Sequence, residues 1–149
     1  MNWKLIIIGG LAFWLVTNIL GLGVTGPIIH EAILDPMYQA TESLWIEPLR
    51  QDPPDMAAVM PRWILVSLIS SLVVAGLYSC LRKAFDGPGW KCGMTWGLYL
   101  GIFSFVTLLS YSGVIALPMT IVLWWGVDGL VLFVLGGAAM GWAGERFAG

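Results

Sequence analysis

Charge is scarce in this chain: seven Lys and Arg and nine Asp and Glu stand among 149 residues, 11% against roughly a quarter in a soluble domain. With 58% hydrophobic residues and a mean hydropathy of +0.85, that shortage argues against a water-soluble fold. No basic cluster or Arg-rich face exists and the net charge is -2, so the electrostatic footprint of a nucleic-acid binder is missing. Histidine occurs once, at His30, which cannot supply two axial ligands to a haem. Cysteine occurs twice, and Cys80 and Cys92 flank a basic segment that the topology below puts in the reducing cytoplasm, so no disulfide is expected. Membrane enzymes built on a thiol pair, a Ser and His, or several His are incomplete here; an enzyme is disfavoured and no cofactor or metal is expected.

What the sequence does have is long uncharged runs. A spanning helix needs roughly 20 apolar residues to cross about 30 Å of hydrocarbon. Leu5 to Thr25, Trp63 to Leu81 and Cys92 to Leu117 carry no charge, and Thr120 to Gly144 carries only Asp128. The expected fold is therefore all-α: a single integral membrane domain, a bundle of four transmembrane helices at about 4–26, 62–83, 92–114 and 118–144. The first run is too long for a signal-peptide core and no Ala-x-Ala site follows, so it is expected to stay as an anchor. Ser110 to Gly113 and Pro118 mark the turn of a tight hairpin between the last two spans.

Four spans put the N-terminus, the second loop and the C-terminus on one side. Lys4, Arg82, Lys83, Lys91 and Arg146 fall there, whereas the other side holds only Arg50 and Arg62, so the first side is expected to be cytoplasmic in a bacterial inner membrane. The opposite loop, about 27–61, carries Glu31, Asp35, Glu42, Glu47, Asp52 and Asp55. Asp35-Pro36 reads as a helix start with Asp as the cap, and Met37, Tyr38, Thr41, Leu44 and Trp45 share one face. A short outer helix follows, lying on the membrane surface or over the ends of the spans. Pro61 is expected to open the second span.

An ionisable residue within a span is costly and should face protein or water. Asp128 lies eight residues in from Thr120, about 12 Å at 1.5 Å per residue. Antiparallel indexing puts Asn18, Ser70, Ser71, Ser104 and Thr107 at its depth, with Asn18 as the expected partner, since no span offers a basic one. Asp128 is then either polar glue between helices or a proton or cation site. His30 and Glu31 are expected beyond a Gly26-Pro27 helix break, at the outer interface, with Tyr38 and Trp45 near them. Gly126, Gly137, Gly141 and Gly144 form a stripe on the last helix almost opposite Asp128, which predicts a contact outside the monomer, a homo-oligomer or a membrane partner. The stripe of Gly93, Gly97, Gly101 and Ser104 predicts close packing inside the hairpin.

His30 with Ile33-Leu34, Tyr38, Leu44-Trp45 and Glu47-Pro48, then Gly87-Pro88-Gly89-Trp90, Gly97-Leu98, Tyr111, Pro118, Trp125 and Gly129-Leu130-Val131, resembles a group of small four-helix bacterial inner-membrane proteins without an assigned activity. In that group an Arg usually stands between the Trp and the Pro of the outer motif, where Ile46-Glu47 stand here, and the acid of the last helix often follows the Gly-Leu-Val stretch, which Asp128 precedes. The resemblance implies architecture and no reaction. The functional expectation is an accessory membrane protein, a subunit or assembly factor acting through helix and outer-loop contacts. The alternatives are an oligomeric small transporter or channel coupled through Asp128, and a membrane enzyme using His30 and Glu31.

Overall fold

A computed structural model of the chain describes residues 2–148. The described residues form helices and turns without strands. Helix α1, Trp3–Leu20, runs on as a π-helical stretch, Gly21–Ile33. A short α2, Asp35–Ala40, and two 3-10 turns lead to α3, Met56–Leu81, then α4, Gly89–Tyr111, and α5, Met119–Ala148. Four of these helices are long and apolar enough to cross a membrane, with mean hydropathies from 1.6 to 2.2.

The first span was expected to end near residue 26, and it does not. Pro27 has no N–H and its ring collides with a carbonyl four residues back in an α-helix. Widening to i→i+5 hydrogen bonding relieves the collision and lets the helix run on to Ile33. Gly26 is required by the tight stacking this creates, because a Cβ there would sit 2.5 Å from the Gly21 carbonyl oxygen.

Other ends are moved by caps. The second long helix starts at Met56 rather than at Pro61, because Asp55 accepts from the Ala58 N–H at 3.1 Å; Pro61 lies inside the helix. The hairpin helices are shifted towards the charged end, where Glu145 of α5 accepts from the Gly89 N–H at 2.8 Å and supplies the cap that Pro88 cannot. Asp35 does not cap α2; it sits in the first turn and accepts from Gln39 at 2.8 Å.

The main packing order is α3–α1–α5–α4. The α4–α5 hairpin is the closest pair: Gly89, Gly93 and Gly97 interleave with Gly137 and Gly141, and a methyl group at any of them would strike the other helix's backbone. The α5 stripe, expected to face outside the monomer, therefore packs within the chain. Gly137 and Gly141 are consumed by α4, Gly126 faces Phe105 and Gly144 faces Leu5, all within the chain. The two-sided geometry is met by α1 on one flank of α5 and α4 on the other. Between α1 and α3, Gly10 seats Leu72 and the Trp14 indole donates to Ser67 at 2.9 Å.

One end of the molecule gathers the start of α1, the α3–α4 connection and the end of α5, tied by Asn2 to Ser79 and Ala148. Phe13, Ala75, Tyr78, Cys92 and Met140 make a core from all four long helices on that side. The opposite end has a second core, Ile29, Leu34 and Ile121, over which Met37 and Tyr38 of α2 pack. α2 thus packs over one end of the four long helices.

Candidate functional site

The second core carries the polar cluster of greatest interest. Continuation of the first span through Pro27 delivers His30 to the side of α5. There its Nε2 lies 3.2 Å from Asp128 Oδ2, while its Nδ1 lies 2.7 Å from the Tyr38 hydroxyl. Trp125 Nε1 donates to the same hydroxyl at 2.7 Å. Trp45 covers the cluster: its Nε1 donates to the Tyr38 carbonyl at 3.1 Å, and its ring meets Tyr38 edge-on at 5.3 Å and Trp125 at 6.0 Å.

Donor capacity assigns the protons. Indole N–H can only donate, so the Tyr38 oxygen accepts from Trp125 and its single proton goes to His30 Nδ1. A neutral imidazole that accepts at Nδ1 carries its proton on Nε2, which then donates to the Asp128 carboxylate. The bonds form one directed chain from Trp125 through Tyr38 and His30 to Asp128, joining α2, the π-helical stretch and α5. Burial pushes the Tyr38 phenol above its usual pKa, opposed by the Trp125 hydrogen bond and reinforced by the Asp128 charge. The phenol therefore remains a donor at neutral pH.

A raised folded pKa gives the sign of an alkaline effect. The Tyr38 contribution is complete below its unfolded value of about 10 and is lost as pH rises through the higher folded value. Tyr38→Phe leaves Trp125 Nε1 and His30 Nδ1 without their partner and is expected to cost about 2 kcal/mol at neutral pH. Its thermal stability should then fall less steeply at alkaline pH than the parent's, and equal falls in both proteins would show that Tyr38 does not hold the cluster.

The expected polar layer around Asp128 does not assemble. Asn18 turns back to the Trp14 carbonyl at 2.8 Å, so it is not the Asp128 partner; helical geometry satisfies its amide locally. Ser71 bonds the Ser67 carbonyl and Thr107 the Phe103 carbonyl, Ser70 is exposed, and Ser104 is half-buried on α4. Glu31 is exposed, whereas His30 turns inward, which separates the expected outer pair. Tyr38 and Trp45 do stand beside His30, as residues of one cap.

Trp125, named in the sequence only among the residues of the resemblance, is part of this cluster. Trp125 is three residues before Asp128, a spacing that puts both on one helical face. Thr25 is buried on the π-helical stretch, where its Oγ1, like Asp128 Oδ1, has no protein partner. Among the described residues no group of three or more His, Cys, Asp or Glu could hold a metal ion. No known protein family, curated protein or solved structure matches the chain.

Proposed function

We propose that the chain is a multi-pass integral membrane protein of a bacterial inner membrane, of accessory type, which presents its acidic outer loop to a partner while the His30 cluster holds that loop to the spans. The observation that carries this reading is the division of labour in the outer segment. Its buried face is fastened through Tyr38 and Trp45, whereas Glu31, Asp35, Glu42, Glu47, Asp52 and Asp55 are all exposed. A loop held by a directed hydrogen-bond chain keeps its carboxylates in fixed relative positions, which lowers the ordering cost of docking a basic surface.

The membrane frame draws on charge. The end with both termini has five cations against Asp86 and Glu145; the other end has Arg50 and Arg62 against six carboxylates. With the cation-rich end in the cytoplasm, the positive-inside rule is obeyed. Apolar side chains such as Ile64, Leu65, Ile69 and Val73 on α3 and Phe103 and Val106 on α4 are exposed, as lipid contact requires.

The chain is expected to float with vesicles and resist alkaline carbonate extraction. Cysteine placed at Glu42 should react with an impermeant maleimide from outside, and at Lys83 only after lysis, in a background without Cys80 and Cys92. Reaction of both from the same side sinks the topology. For the docking reading, a stoichiometric membrane partner should co-purify with the parent and be lost from the Glu42→Gln/Glu47→Gln/Asp52→Asn variant; retention by that variant removes the role of the carboxylates.

A second reading is favoured by the two partnerless buried oxygens, Asp128 Oδ1 and Thr25 Oγ1. In it, Asp128 couples the movement of a proton or cation in a small oligomeric transporter or channel. Proton-linked flux in proteoliposomes that disappears in Asp128→Asn would support it over the accessory role.

A further inference from the structure

A cavity of about 300 Å³ opens at the opposite end of the molecule, between the start of α1 and the ends of α3 and α5. Its wall holds one guanidinium, Arg82, and one carboxylate, Glu145, along with Tyr78 and Asn2. Gly141 and Gly144 line its α5 side.

Both charged groups are oriented by the backbone and keep capacity in reserve. Arg82 donates to the Phe85 carbonyl at 3.0 Å and the Gly87 carbonyl at 3.1 Å, the latter presented by a turn that Gly87 makes at φ 109°. Among the described residues these use two of its five N–H donors. Glu145 uses Oε2 for the Gly89 N–H, and its Oε1 has no hydrogen bond among the described residues. A guanidinium oriented in this way matches a phosphate, and a carboxylate on the same cavity wall repels a purely anionic ligand but pairs with an ammonium.

We infer that this cavity binds the headgroup of a phospholipid that carries a phosphate and a primary ammonium, with Arg82 on the phosphate and Glu145 on the ammonium. The inference rests on the membrane reading above, which puts this end of the helices at the level of the cytoplasmic headgroups. A primary ammonium offers Glu145 three N–H donors and a positive charge, whereas a quaternary choline offers charge without donors and a glycerol headgroup offers hydroxyl donors without charge. The site therefore discriminates among headgroups by charge and by donor count.

The test is lipid retention. The chain is placed in vesicles of equal phosphatidylethanolamine, phosphatidylcholine and phosphatidylglycerol, extracted in mild detergent, and weighed intact by native mass spectrometry. The parent should keep one phosphatidylethanolamine in preference to either competitor by about tenfold. Glu145→Gln preserves an acceptor for the Gly89 N–H and should erase the preference over phosphatidylcholine; Arg82→Gln should lower retention of all three lipids. Should Arg82→Gln fail to fold after losing its carbonyl bonds, Glu145→Gln decides alone.

Equal retention of the three lipids by the parent, or an unchanged preference in Glu145→Gln, overturns the assignment. Soluble glycerophosphoethanolamine separates the two sources of the same chemistry: binding as tight as the lipid's would make this a site for a soluble aminophosphate and overturn the lipid. A chain that fails to float with vesicles defeats the membrane reading itself, whereas one that floats without headgroup preference defeats only this inference.

Discussion

Gly137→Leu is expected to part the α4–α5 hairpin and cost at least about 3 kcal/mol, the upper range for overpacking. A Cβ at Gly137 would meet Gly97 Cα at 3.1 Å and crowd the Gly93 carbonyl, atoms of a helix backbone that cannot rotate aside. To admit leucine the helices must separate, and the neighbouring contacts at Gly93, Gly97 and Gly141 are lost with it, since they depend on the same close approach. Gly76→Leu is the control: nothing lies within 4 Å of a Cβ at Gly76, so leucine there should be neutral or slightly stabilising through helix propensity. Thermal loss of helical circular dichroism in detergent compares the two. Equal melting temperatures would mean that the glycine seam does not hold the hairpin.

The second large effect belongs to the His30–Asp128 pair. The Asp128 side chain is only 14% exposed, and His30 is the partner of its Oδ2, while Oδ1 has none. His30→Leu leaves Oδ2 without its partner; because the His30 side chain is itself 37% exposed and water can replace part of the bond, the expected cost is about 2 kcal/mol. Asp128→Asn retains an acceptor for the Nε2–H and should cost only about 1 kcal/mol. The decisive comparison is the double variant His30→Leu/Asp128→Leu, which removes donor and acceptor together and should recover much of the loss. Cleavage of the outer loop after Arg50, an exposed residue, reports the same equilibrium. Strictly additive single effects would show that the two side chains do not interact.

Much of the fold was legible because long apolar helices announce themselves by run length, which needs no knowledge of tertiary contacts. The hairpin, the Gly93–Gly97–Gly101 packing face and the outer helix were read from local signals in this way. The candidate site was legible only in its members. His30, Tyr38, Trp45 and Asp128 were each singled out, but the pairing was assigned to Asn18, because Pro27 read as the end of the helix. A π-helical turn accommodates proline without breaking the rod, and one-dimensional proline rules do not register it. The α5 glycine stripe misled for a related reason: residues opposite one another on a helix can both be internal when that helix is flanked by two others.

The sequence by itself determined the number of long apolar helices, the partition of acidic and basic residues between their ends, and the isolation of one acid in an apolar run. These follow from composition along the chain. Tertiary structure alone decided that His30 meets Asp128, that Tyr38 and Trp125 complete the chain of donors, and that the glycines of α5 face α4. The physical reason is angular. A shift from α to π winding rotates every later side chain about the helix axis, and which residues meet across 98 positions depends on that rotation rather than on any local preference.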